Sequence, residues 1–270
     1  MSPRPWTTFR LATLAVALAF AACVAAPARA QEMRSRPAFA PTDTSEARVI
    51  ETPEPEEFPV VLGSFTTTLK GSRPERTANI RLAAQALDGT VLEPGQTLSF
   101  DAVVGPRSLE RGYQQAPVIL HETRQLQTGG GVCQVASTMF VAGLLSGLSN
   151  VERWRHSSPV DYIAPGHDAT IAWGAKDLKL RNDTGQRVRV RTFVRGATLS
   201  ARFEGERELE ESFELATEER ELPAEPGVEG AQPGREIELY RVRRPARGGE
   251  SRELVLRDVY PPSRGEKPQE

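Results

Sequence analysis

The stretch from Cys133 to Leu145 is almost wholly apolar or small and contains no proline, with Gly147 closing it. A helix that is apolar all round has to be buried, so any fold open to this chain must pack other elements around that segment. Its first turn carries Cys133, and three glycines, Gly129-Gly130-Gly131, lead into it.

The surrounding pattern predicts an α+β fold. Val60 to Leu69 is β-prone, and Glu75 to Leu87 places Ile80, Ala83, Ala84 and Leu87 at helical spacing before Gly89. Val91 to Phe100 reads as strand, Pro-Gly turn and strand, and Ala116 to Leu120 as a short strand entering the glycine run. Short β-like runs follow at Val151 to Arg155, Ala169 to Trp173 and Leu178 to Leu180. A hairpin then alternates Val188, Val190, Thr192 and Val194 with Arg187, Arg189, Arg191 and Phe193 and returns through Leu199 to Phe203, with one face apolar and the other cationic. Residues 207–235 are acidic and read as a linker, residues 236–260 as one small hairpin appendage, and 261–270 as a disordered tail.

Residues 1–30 read as a secretory signal peptide: Arg4 and Arg10, an apolar stretch from Leu11 to Ala26, then the small-x-small site Ala28-Arg29-Ala30. Export to the periplasm or the extracellular envelope follows, with no transmembrane span in the mature chain; lipid attachment at Cys23 in Phe20-Ala21-Ala22-Cys23 is the minor alternative. Residues 31–59, rich in proline and glutamate, read as a disordered tether. Loss of the leader removes Arg4, Arg10 and Arg29 and no acid, taking the formal charge from −2 to −5. That balance excludes nucleic acid and anionic lipid as partners recognised by bulk charge.

With Cys23 in the leader, Cys133 remains as a thiol without an intramolecular partner in an oxidising compartment, either an inert core residue or a nucleophile. The positive end of a helix dipole stabilises a thiolate, and a glycine run before a helix can gather backbone N–H groups into a nest for an oxyanion or another anion. Histidine is the usual base beside a catalytic cysteine. The chain has three: His121, His156 and His167. His156 ends a short strand from which it can reach the helix start; Asp161, Asp168 or Asn182 could orient its ring. One remaining cysteine and three scattered histidines lack the spacing of a zinc site, so no metal or cofactor is expected.

Gly129 to Thr138 resembles the signature of the VanW family, as do Pro94 to Phe100, Val104 to Arg107, Gly112-Tyr113, Arg153 to Val160, Gly166 to Ala172 and Asp177 to Asn182. The resemblance runs in order from about Leu62 to Glu206, which delimits a single VanW-like domain over 60–206. It implies an exported protein of cell-wall maturation, linked to L,D-transpeptidation of peptidoglycan stem peptides and, in some relatives, to glycopeptide resistance. The motif cysteine falls on Cys133, the histidine on His156 and an acid on Asp168. His121 and His167 occupy positions where the family does not demand histidine. The Cys-then-His order is opposite to that of YkuD-type L,D-transpeptidases, so shared chemistry would be convergent or rearranged. On this reading Gly129, Gly130, Gly131 and Gln134 form the oxyanion and substrate loop, and Arg107 and Arg153 are candidates for binding substrate carboxylates. The competing reading is a non-catalytic envelope protein that binds wall peptide or glycopeptide and uses the glycine loop as a cradle.

Overall fold

A computed structural model of the protein describes residues 57–262, apart from 121–122, 225 and 227–229 and the side chains of 119–120 and 123–124. The predicted leader with Cys23, the tether up to residue 56, the tail from 263 and His121 lie outside the described residues.

The apolar run forms the central helix. Among the described residues three α-helices, α1 (Pro74–Leu87), α2 (Phe100–Val104) and α3 (Val132–Leu145), pack among twelve strands, giving the expected α+β class. The strands are β1 (Val60–Thr68), β2 (Val91–Leu92), β3 (Thr97–Ser99), β4 (Gln115–Leu120), β5 (Thr123–Thr128) and β6 (Ser149–Glu152). They continue with β7 (Lys179–Arg181), β8 (Val188–Arg195), β9 (Thr198–Gly205), β10 (Glu211–Leu222), β11 (Gly234–Pro245) and β12 (Ser251–Tyr260). One antiparallel sheet runs β1-β9-β8-β2, a second β3-β7-β6, a third β10-β11-β12, and β4-β5 is a separate hairpin.

Helix α3 lies against β1, β9, α1, β6 and β10, so layers on several sides bury its apolar surface. It stops where the pattern implied: Gly147 takes φ +83, its N–H bonds the Leu144 carbonyl and that of Leu148 bonds Gly143, satisfying carbonyls the last turn leaves open. Gln134, placed by sequence in the substrate loop, is fully buried instead. Its Nε2 donates to Thr67 Oγ1 and the Thr68 carbonyl and ties α3 to β1.

Four further expectations are corrected. Phe100 opens α2 rather than ending a strand, because Ser99 accepts from the Ala102 N–H and caps the helix. Ala169 to Trp173 makes only isolated bridges, Trp154 with Thr170 and Ala172 with Lys176. Phe58, assigned to the tether, is buried beneath Arg187 and Arg189. The supposed acidic linker contains β10, whose glutamates pair with arginines: Glu211 with Arg243, Glu214 with Arg244 and Glu218 with Arg252.

The C-terminal unit is therefore a three-stranded sheet that shares the main core, not a hairpin appendage. Leu239 joins the central cluster, Arg241 donates to the Leu148 carbonyl, and a Cβ at Gly147 or Gly166 would strike Phe213 or Ile237 at 2.8 Å. Carboxylates also answer the cationic face of the β8–β9 hairpin: Arg187 meets Glu57 and Glu206, Arg189 meets Glu204, and Arg191 meets Asp88. Among the described residues no helix is long and apolar enough to cross a membrane.

Candidate active site

Hairpin β4–β5 delivers the chain into the glycine turn, and α3 leaves from it with Cys133 in its first turn. Gly131 occupies the N-cap at φ +102, a conformation that L side chains rarely adopt, and supplies no capping side chain. Gly130 is pressed onto β4: an added Cβ would lie 2.5 Å from the Ala116 carbonyl oxygen. Asn79 of α1, fully buried, pins the turn by donating to the carbonyls of Gln114 and Gly130 and accepting from the Gln114 N–H.

This arrangement decides which amides face outward. The N–H groups of Gly129 and Gly130 bond the carbonyls of Gln114 and Gln127, and those of Val132 and Gln134 bond Gly129 and Gly131. Gly130 is thus not a free donor. Among the described residues the N–H groups of Gly131 and Cys133 make no backbone hydrogen bond, as is usual for donors of a first helical turn.

The half-buried Cys133 has its sulfur 3.8 Å from the Ile171 carbonyl, and the His156 side chain is the neighbour that most lowers its pKa. His156 follows β6, and Asp168 Oδ2 holds it twice, accepting from its backbone N–H at 2.7 Å and pairing with Nδ1 at 2.6 Å. That contact leaves Nε2 for the sulfur. Asp168 is fixed in turn: Arg153 donates to its Oδ1 at 2.7 Å and to its backbone carbonyl at 2.5 Å, while reaching Asp258 on β12 at 2.6 and 2.7 Å. The next residue is anchored to α3, since Ser137 Oγ accepts from the Ala169 N–H and donates to the Cys133 carbonyl.

Electrostatics follow from these contacts. Burial pushes the Cys133 thiol up, but the hydrogen bond and charge of His156, with Arg107 further out, bring it below its ordinary value. Burial pulls His156 down, and its bonds to Asp168 and Cys133 lift it to about 9. Burial would raise Asp168, yet His156 and Arg153 hold its carboxyl below the usual range. These directions favour a thiolate beside an imidazolium.

The structure brings Cys133, His156, Asp168 and the three glycines together and corrects the arginines. Arg153 has a side chain only 3% exposed and is taken up by Asp168 and Asp258, so it clamps the acid instead of meeting substrate. Arg107 flanks the site, with Gly129 against its stem, but its guanidinium pairs with Asp101 at 2.5 Å and sits by the Trp173 ring. His167 faces the Pro165 carbonyl. Asn182 is buried and donates to the carbonyls of Leu92, Glu93 and Gln186, a scaffold role, and Asp161 is exposed. Sequence reasoning missed Asn79, Asp258, Ser137 and Tyr162, whose ring meets His156 edge-on at 6.5 Å and whose hydroxyl is 3.3 Å from Ser137 Oγ. No group of three or more His, Cys, Asp or Glu suited to a metal occurs among the described residues.

Fold and site together define a class: an α+β domain seating a free cysteine at the start of a buried helix, beside a histidine held by a clamped carboxylate. Residues 75–203 match the family model described as VanW like protein and form a VanW-like domain in this chain. The chain is 37% identical over 162 residues to the Uncharacterized protein YoaR of Bacillus subtilis (strain 168), covering 56% of this chain and 54% of that one. It is 33% identical over 111 residues to the Vancomycin B-type resistance protein VanW of Enterococcus faecalis (strain ATCC 700802 / V583), covering 39% and 40%. The chain therefore spans about half the length of the curated relatives it matches, or less. No solved structure matches it.

Proposed function

We propose that this is a cell-envelope acyltransferase that uses Cys133 as a nucleophile on peptidoglycan stem peptides, in the manner of an L,D-transpeptidase. The observation that carries the reading is the grouping of Cys133, His156 and Asp168 at the start of α3, where two backbone amides of the same turn are left open. The name of the Enterococcus relative, a vancomycin resistance protein, adds the wall as context.

In the first half-reaction the thiolate attacks the carbonyl carbon of an L–D peptide bond, and the Gly131 and Cys133 amides receive the oxyanion. The His156 imidazolium gives its proton to the departing nitrogen, so the C–N bond breaks and a thioester and a free amine remain. In the second, an amine of another stem, or water, loses a proton to His156 and attacks the thioester, which restores the thiolate–imidazolium pair. Asp168 keeps Nδ1 occupied and the ring aligned throughout.

The same two amides suit a carboxylate that is bound and never attacked, and this supports the binding-protein reading. Intact mass of the protein after incubation with purified muropeptides separates the two. An acyl adduct on wild type that is absent from Cys133→Ser supports the enzyme. Retained muropeptide binding with no adduct and no change in cross-link composition contradicts it.

A further inference from the structure

The arginines around the thiol are mostly committed to acids, Arg107 to Asp101 and Arg153 to Asp168 and Asp258. Arg76, on α1, is different. Its stem crosses the glycine turn, so that a Cβ on Gly131 would lie 2.6 Å from Arg76 Cγ and 3.3 Å from Nε. Its guanidinium carbon is 5.8 Å from the centre of the Tyr162 ring, the ring that meets His156. Nη1 donates to Ser72 Oγ at 3.3 Å, and Arg76 forms no ion pair among the described residues although it is half-buried. Burial lowers its pKa, with Tyr162, Asp161 and Cys133 opposing from longer range. A desolvated guanidinium with open planar donors is matched to a carboxylate bound through two parallel hydrogen bonds.

Position narrows the ligand. Arg76 Nε lies beside Gly131, one of the amides that would receive the oxyanion. A group bound there is therefore close to the carbonyl under attack. Consecutive Cα atoms are about 3.8 Å apart, so the carboxylate of a C-terminal residue sits one residue beyond the scissile carbonyl when that residue is the leaving group. We propose that Arg76 binds the terminal α-carboxylate of the D-residue on the leaving side of the bond. The site is thereby selective for stem peptides that end one residue past the point of cleavage. This rests on the acyl-transfer reading above, and its test does not.

Cys133→Ala protein is titrated by calorimetry with a stem tetrapeptide ending in D-alanine and with its C-terminal amide. The free acid is expected to bind about 10- to 100-fold more tightly, the range of a hydrogen bond to a charged group. Arg76→Gln in the same background keeps a long stem against Gly131 and should abolish the difference, while Arg76→Lys should recover part of it. Equal binding of acid and amide, equal weakening of both by Arg76→Gln, or no measurable binding of either peptide overturns the proposal. Preference for the acid in a protein whose wild type forms no acyl adduct keeps Arg76 as the carboxylate site and removes only the enzymatic reading.

Discussion

At Cys133 two opposing effects meet, and a single side chain decides between them. Burial alone would leave a poorly ionised thiol; His156 reverses the sign. Removing the imidazole should therefore do more than slow a proton transfer. In His156→Ala, the pH profile of Cys133 alkylation should move upward past the ordinary thiol range, because desolvation is then opposed only weakly. An unchanged profile would mean that His156 does not hold the thiolate. Asp168→Asn should act the same way with smaller amplitude, since the amide keeps a polar partner beside Nδ1 and loses the charge that lifts His156 to about 9.

Helix α3 and its glycine turn work as a unit because α1 fastens them. Asn79→Ala would strip partners from the N–H and carbonyl of Gln114 and the carbonyl of Gly130. A loss of about 2–3 kcal/mol in urea unfolding is expected, together with slower Cys133 alkylation as the turn loosens. Stability lost without any change in alkylation would separate the pin from the site. Legibility divides at this scale. Helix α3, its Gly147 stop, the cysteine in its first turn and the β8–β9 hairpin were readable because periodicity and glycine act locally. Asn79, Ser137 and Tyr162 were not, because nothing within a few residues of each announces what it touches across the fold. Strand β10 was missed for another reason: its glutamates resemble a solvated linker until Arg243, Arg244 and Arg252 are placed opposite them. Gln134 and Arg153 were misread because chemistry-bearing residue types next to a motif can face the core.

Across the whole molecule, the C-terminal sheet reaches the site through Asp258, which shares Arg153 with Asp168. Asp258→Ala would leave a nearly buried guanidinium with half its compensation. It should cost about 3 kcal/mol, or roughly 6–12 °C in Tm for a domain of this size, and weaken the alignment of His156. A Tm within a degree of wild type would show that the sheet does not support the clamp. The charges also set a pH window. His156, raised to about 9, contributes stability that is complete below its unfolded pKa near 6.5 and is lost as pH rises through about 9. Asp168 and Cys133, both lowered, contribute stability that is lost as pH falls through their folded values. The Tm difference between wild type and His156→Ala should therefore be largest near neutrality and shrink above about pH 9; a difference independent of pH would contradict the ion pair.

The thiolate itself can be titrated. In protein lacking residues 1–30, Cys133 is the remaining cysteine, so the pH-dependent ultraviolet absorbance that distinguishes wild type from Cys133→Ser reports one sulfur. The Cys133–His156 pair predicts that this difference persists below the ordinary thiol pKa and fades as the pH falls further, His156 keeping its proton while the sulfur regains one. A sulfur that ionises at or above the ordinary thiol value, in step with an unfolded control, would contradict a poised nucleophile at the start of α3.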